Sequence, residues 1–198
     1  MHSELGTALQ DILQYERQLY LGDDKSRVNQ MRRSCNRRYV IWQYLVAFRK
    51  CQYWKAIRED RSISRLRRLV AKWLHRYYDK RRNMLSERCG VEIGIDAHVG
   101  KGIDIWHGGI VINGHVGDNC TFHGNNIIGN KGKGREKEFP TLDSSIDVGA
   151  GATIIGKVEI ADGCVIGAGA VVTKSFHEKQ SVLVGVPAKQ AKEWQTYP

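Results

Sequence analysis

Residues 148–174 read VGAGATIIGKVEIADGCVIGAGAVVTK, and their spacing decides the fold. Val148, Ile154, Ile160, Ile166 and Val172 recur at every sixth position, and the small or aliphatic Ala152, Val158, Cys164 and Ala170 hold the fourth place after each. Neither a helix, with its 3.6-residue turn, nor an alternating strand has that period. A hexad fits a short flat strand followed by a turn, with the aliphatic side chain pointing into a narrow core and Gly or Ala allowing the corner. Three such units close one triangular coil, and stacked coils pair their strands in parallel. Working outward, Ile93, Val99 and Ile105, then Val116, Phe122 and Ile128, carry the same period on either side of an interruption, for about twelve hexads. The repeat specifies a left-handed parallel β-helix, an exception to the usual crossover hand.

The chain ahead of this repeat differs in composition. Residues 1–90 contain three of the 21 glycines and carry 21 Lys/Arg against 9 Asp/Glu, a net +12, whereas the rest carries 10 against 12. Leu5, Leu9, Ile12, Leu13 and Leu19 recur at helical steps until Gly22-Asp23-Asp24. Two further helical stretches follow, one with Tyr39, Trp42, Leu45, Val46 and Trp54, the other with Ile63, Leu66, Val70, Trp73, Tyr77 and Leu85. We expect these apolar stripes to be helix contact surfaces and the Arg/Lys faces to be solvated. The alternative is a basic surface that meets an anionic membrane or lipid-carried substrate. No nucleic-acid motif accompanies the charge. No run approaches the ~20 apolar residues of a membrane span, and the N-terminus lacks a signal-peptide layout. The sequence therefore leads us to expect a cytoplasmic protein, with the inner face of the membrane as the place such helices would meet lipid. The five cysteines are spread out without a CxxC pair, so they read as reduced residues that fill the core. The expected organisation is a basic α-helical region at 1–90, a β-helix at 91–176 with a loop at 130–146, and a tail at 177–198.

A solenoid's irregular stretches mark residues kept for something other than coiling. They are Trp106–His115 (WHGGIVINGH) and the polar loop at 130–146 (NKGKGREKEFPTLDSSI). With VEIGIDAHVGKGIDIWHGGIVIN (91–113), the run at 148–174 and the terminal GVPAK (185–189), the chain resembles the hexapeptide-repeat acyltransferases. The resemblance is to the serine acetyltransferase-like branch, which includes capsule and exopolysaccharide O-acetyltransferases. It implies acetyl-CoA as co-substrate, no metal, and a homotrimer, or a dimer of trimers, with sites built between neighbouring coils. His107 matches the family's general base, and a neutral imidazole suits that role near neutral pH. Glu92 matches the acid that orients it, where many relatives have Asp. Ala150 and Ala168 match positions along the pantetheine arm, and Lys189, Lys131 and Lys133 are candidates for the CoA phosphates. His98, His115, His123 and His177 read as turn or surface residues, and Cys120 and Cys164 as core.

Two departures bear on the acceptor. The family's serine enzymes place an Asp before the catalytic His and an Arg-His pair in the loop; here Trp106 and Glu138-Phe139 stand at those places. A lost carboxylate clamp and two aromatic rings favour a neutral ring-shaped acceptor. The expectation is thus an O-acetyltransferase acting on a sugar hydroxyl of a surface polysaccharide or its precursor, with Trp106, Glu138 and Phe139 at the acceptor. The alternative is serine O-acetyltransferase. A zinc hydratase on the same coil fits poorly, because His98, His107, His115 and His123 have the wrong ligand spacing, and a non-catalytic scaffold would bind no CoA.

Overall fold

The computed structural model describes residues 2–191, so the end of the expected tail, 192–198, lies outside the described residues. It divides into two compact units, residues 1–91 and 92–198.

The first unit holds four helices: α1 (His2–Leu21), α2 (Lys25–Arg33), α3 (Arg37–Glu59) and α4 (Arg65–Cys89). The sequence leads to three; α2 is the addition, its start fixed by Asp24, whose side chain accepts from the Ser26 and Arg27 amides. Asn36 and Ser64 cap α3 and α4 in the same way. Helix α3 supplies the core, burying Ile41, Tyr44, Leu45, Ala47, Phe48, Cys51 and Ile57. Glu16 of α1 and Arg49 of α3 meet at 2.6 Å with both side chains buried, which sets the register of the two helices.

The expectation for the third apolar stripe is corrected. On α4 only Ala71, Leu85 and Cys89 are buried, while Leu66, Val70, Trp73 and Tyr77 face outward at 47–71% exposure. Leu66 and Val70 line an open groove of about 480 Å3 with Tyr53, Trp54, Ile57 and Ile63. No described helix is long and apolar enough to cross a membrane.

The second unit is a parallel β-helix of short strands: β1 (Val91–Ile93), β2 (His98–Val99), β3 (Asp104–Ile105), β4 (Ile110–Ile112), β5 (His115–Val116), β6 (Thr121–Phe122), β7 (Ile127–Gly129), β8 (Thr141–Leu142), β9 (Asp147–Val148), β10 (Thr153–Ile155), β11 (Glu159–Ile160), β12 (Val165–Ile166), β13 (Val171–Val172), β14 (Val182–Val184) and β15 (Lys189–Gln190). They form three faces: β1-β4-β7-β10-β13, β2-β5-β8-β11, and β3-β6-β9-β12-β14 with β15 antiparallel at its end. The fold class expected from the hexads is the one observed.

Register shows where the coils depart from eighteen residues. Ile154 pairs with Val172 and Leu142 with Ile160 at the regular step, whereas Val116 pairs with Leu142 across the loop. The interruption of the aliphatic series is filled by Ile112, which pairs with Ile128. The step from Ile112 to Val116 is two residues short of a hexad, and that from Ile105 to Ile112 is one residue long. The irregular loop is narrower than the sequence suggests, since strands resume at Thr141 and at Asp147. The expected tail also continues the coil, because Leu183 pairs with Ile166 and is buried.

Candidate functional site

The edge joining the third face to the first carries the extra corner residue, and His107 stands on it. One coil on, Gly124 lies against His107: a Cβ on Gly124 would come within 2.7 Å of the His107 Cβ. With φ at +129°, Gly124 also holds a backbone that L-residues avoid. The corner is tied upward by buried Asn126, whose Oδ1 accepts the Gly124 amide at 2.9 Å and whose Nδ2 donates to Gly149 O at 2.8 Å. Asn126 occupies a hexad core place that an apolar residue fills in most other coils.

Small residues continue the edge. Asn125 N donates to Gly108 O, Gly151 N to Gly124 O, and Gly169 N to Ala150 O, so His107, Gly124, Ala150 and Ala168 run along one corner. Ala150 and Ala168 are exposed. At the far end Val184 lies over Gly167 and pairs with Lys189, whose side chain is exposed. This brings His107, Ala150, Ala168 and Lys189 along one side of the coil, with an imidazole towards one end and an ammonium towards the other.

Other sequence candidates lie elsewhere. Glu92 is exposed on β1; Gly94 N donates to Ile112 O, which sets Glu92 level with Val111, four residues after His107. No hydrogen bond joins Glu92 to His107 among the described residues. Lys131 folds over Gly156 on the edge between the first and second faces, away from the His107 edge, and Lys133 is exposed in the same loop. Glu138 pairs with Arg135 at 3.4 Å, and Phe139 lines a cavity of about 290 Å3 with Asp96, Asn113 and His115, where the short corner leaves room. Trp106, 46% exposed, donates its Nε1–H to Asp104 Oδ2 at 2.9 Å.

Burial pushes the thiols of Cys51 and Cys120 up to about 11, with Asp79 and Asp118 adding to the respective shifts. Cys89 and Cys164 are raised by burial as well. Such thiols are not activated nucleophiles. Sequence reasoning did not single out Gly124, Asn126 or Asp147 and read His123 as a turn or surface residue; only Asn126 left a signal, as a polar residue at a core place of the hexad.

No family model matches the chain. It is 40% identical over 103 residues to a serine acetyltransferase from Synechococcus elongatus, a match covering half of this chain and 42% of that protein. Among solved structures, a serine acetyltransferase from Neisseria gonorrhoeae superposes with a TM-score of 0.66 at 23% identity, covering 97% of this chain and 69% of that one. The chain is thus similar to serine acetyltransferases across half of its length and shares their parallel β-helix fold. A serine acetyltransferase from Brucella abortus, solved in complex with Coenzyme A, has the same fold, with a TM-score of 0.64 at 23% identity over 96% of this chain and 70% of that one. This serine acetyltransferase-like chain spans less than half the length of the cyanobacterial relative.

These relatives overturn the expectation of a polysaccharide O-acetyltransferase. That reading rested on Trp106, Glu138 and Phe139, but the match at 40% identity extends over half the chain and outweighs them. Within one chain Glu138 pairs with Arg135 and Phe139 lines the side cavity, away from the His107 edge.

Proposed function

We propose that the protein transfers an acetyl group from acetyl-CoA to the hydroxyl of L-serine, with His107 as general base. The observation that carries the reading is the His107 corner followed by a row of small exposed residues that leads to Lys189, on a chain similar to serine acetyltransferases. Acetyl-CoA would lie along this edge, its pantetheine arm passing Ala150 and Ala168, where a larger side chain would intrude. Lys189 would meet a phosphate, with Lys131 and Lys133 as further cations supplied from the loop edge.

The chemistry balances without a metal. The His107 imidazole takes the proton of the serine hydroxyl as the oxygen attacks the thioester carbonyl, forming a C–O bond. The tetrahedral intermediate expels the CoA thiolate as the C–S bond breaks, and the imidazolium returns the proton to sulfur. Glu92 would swing to the imidazole to orient it and favour its charged form. Serine also brings a carboxylate, which needs a cation. Arg135, in the loop and largely exposed, is the guanidinium in reach of that role once it leaves Glu138.

Sites built between neighbouring copies follow from a homotrimer, the assembly that this branch implies. Release of CoA thiol from acetyl-CoA on addition of L-serine tests the reading. His107→Ala should lower kcat by roughly 10²–10⁴ while CoA affinity stays nearly unchanged. A wild-type protein that binds CoA but shows no serine-dependent release would overturn it.

A further inference from the structure

A column of side chains beside the His107 corner takes no part in the steps above. The Trp106 indole lies 4.3 Å from the His123 ring at a tilt of 37°, while its Nε1–H is held by Asp104. Behind His123, Nε2 stands 2.6 Å from Asp147 Oδ1; both atoms are closed off from solvent, and the contact is one of proximity without hydrogen-bond alignment. The column crosses three coils because Asp104, Thr121 and Asp147 share one register and their strands lead into the same corner. Trp106 N donates to Phe122 O and His123 N to Val148 O, so the backbones under both rings are pinned as well.

An exposed tryptophan ordinarily samples several rotamers. This one is held at its edge by a carboxylate and meets an imidazole that is backed by a second carboxylate. It is 46% exposed, one residue before the proposed general base. We propose that His123 and Asp147 are a positioning pair that locks Trp106 as a fixed wall beside His107, shielding the acetyl thioester from water and confining the acceptor hydroxyl to its line of attack. The inference rests on the acetyl-transfer reading. A base next to an activated thioester deprotonates water as well as serine, so transfer without wasteful hydrolysis needs a surface that water does not wet. An indole supplies it, and losing one aromatic contact is worth up to about tenfold.

The test compares His123→Ala, His123→Phe, Asp147→Asn and Trp106→Phe. Three readouts are taken: acetyl-CoA hydrolysis without serine, the kcat and KM for serine, and acrylamide quenching of the emission that disappears in Trp106→Phe. His123→Ala should free the indole, raising quenching of the Trp106 emission and raising both serine-independent hydrolysis and the KM for serine by up to about tenfold, with less change in kcat. His123→Phe should restore the stack and bring all three back toward wild type, and Asp147→Asn should fall between. Unchanged quenching and hydrolysis in His123→Ala would overturn the proposal, as would failure of His123→Phe to rescue if His123→Ala does not fold. Quenching and hydrolysis need no acceptor, so they still report on the wall if another acceptor replaces serine.

Discussion

Asn126 and Gly124 hold the His107 corner. Asn126 satisfies the buried Gly124 amide and adds a bond to the Gly149 carbonyl, which also accepts from Ala152 N, so Asn126→Val strands the one buried amide. The expected loss is about 1–3 kcal/mol, read as a lower urea midpoint at unchanged m-value. Gly124→Ala acts differently, forcing its methyl against the His107 Cβ. It should cost kcat by more than its effect on Tm suggests, because the neighbour that must yield is the proposed base; equal kcat in the two proteins would place His107 elsewhere during catalysis. The sequence singles out His107 because it sits at a break in the hexads and matches the base of the family it resembles, and the structure places it on the lengthened corner. Its supports were not legible there. The approach of His123 to Asp147 depends on a register that jumps from Thr121 to Asp147 across the loop, and it emerges only when the coil shows how many of those residues lie outside it.

The loop is an element with its own internal order. Asn130 Oδ1 accepts the Gly132 amide, its Nδ2 donates to Glu136 O, and the Gly134 amide holds the Glu136 carboxyl below its usual range. These bonds turn the chain so that Arg135 is largely exposed, paired to Glu138 only at 3.4 Å. If Arg135 clamps the serine carboxylate, Arg135→Ala should raise the KM for serine about tenfold or more with CoA affinity unchanged, the scale of one charge-assisted hydrogen bond. Steady-state kinetics at saturating acetyl-CoA check it, and an unchanged KM would remove Arg135 from the site. The coil strands were legible wherever the period of six holds, and not at Ile112, Thr141 or Leu183, where a changed corner or the loop breaks the count. The α4 stripe was not, because helical spacing shows that apolar residues share a face and is silent on whether another helix covers it.

At the scale of the molecule, two consequences follow from the core and the edges. The raised Cys thiols make the folded state hold protons that the unfolded chain releases. Their stabilisation is full below the ordinary thiol value of 9 and is lost as pH rises toward about 11, so Tm should fall through that window and fall less in Cys120→Val. The second consequence concerns assembly. In one chain His107 lies on the edge between the third and first faces, and the loop springs from the edge between the first and second. No hydrogen bond or ion pair joins them among the described residues. A closed threefold ring would bring one copy's loop edge to its neighbour's His107 edge, giving a particle of about 68 kDa from chains of 22.5 kDa. Sedimentation velocity reads that mass, and co-expression reads the shared site. Chains carrying His107→Ala and chains carrying Arg135→Ala are each defective alone. Mixed in equal amounts, they should regain activity at about one quarter of their sites, those pairing an intact His107 with a neighbour's intact loop. Activity no higher than the average of the two defective proteins would mean that each chain completes its own site.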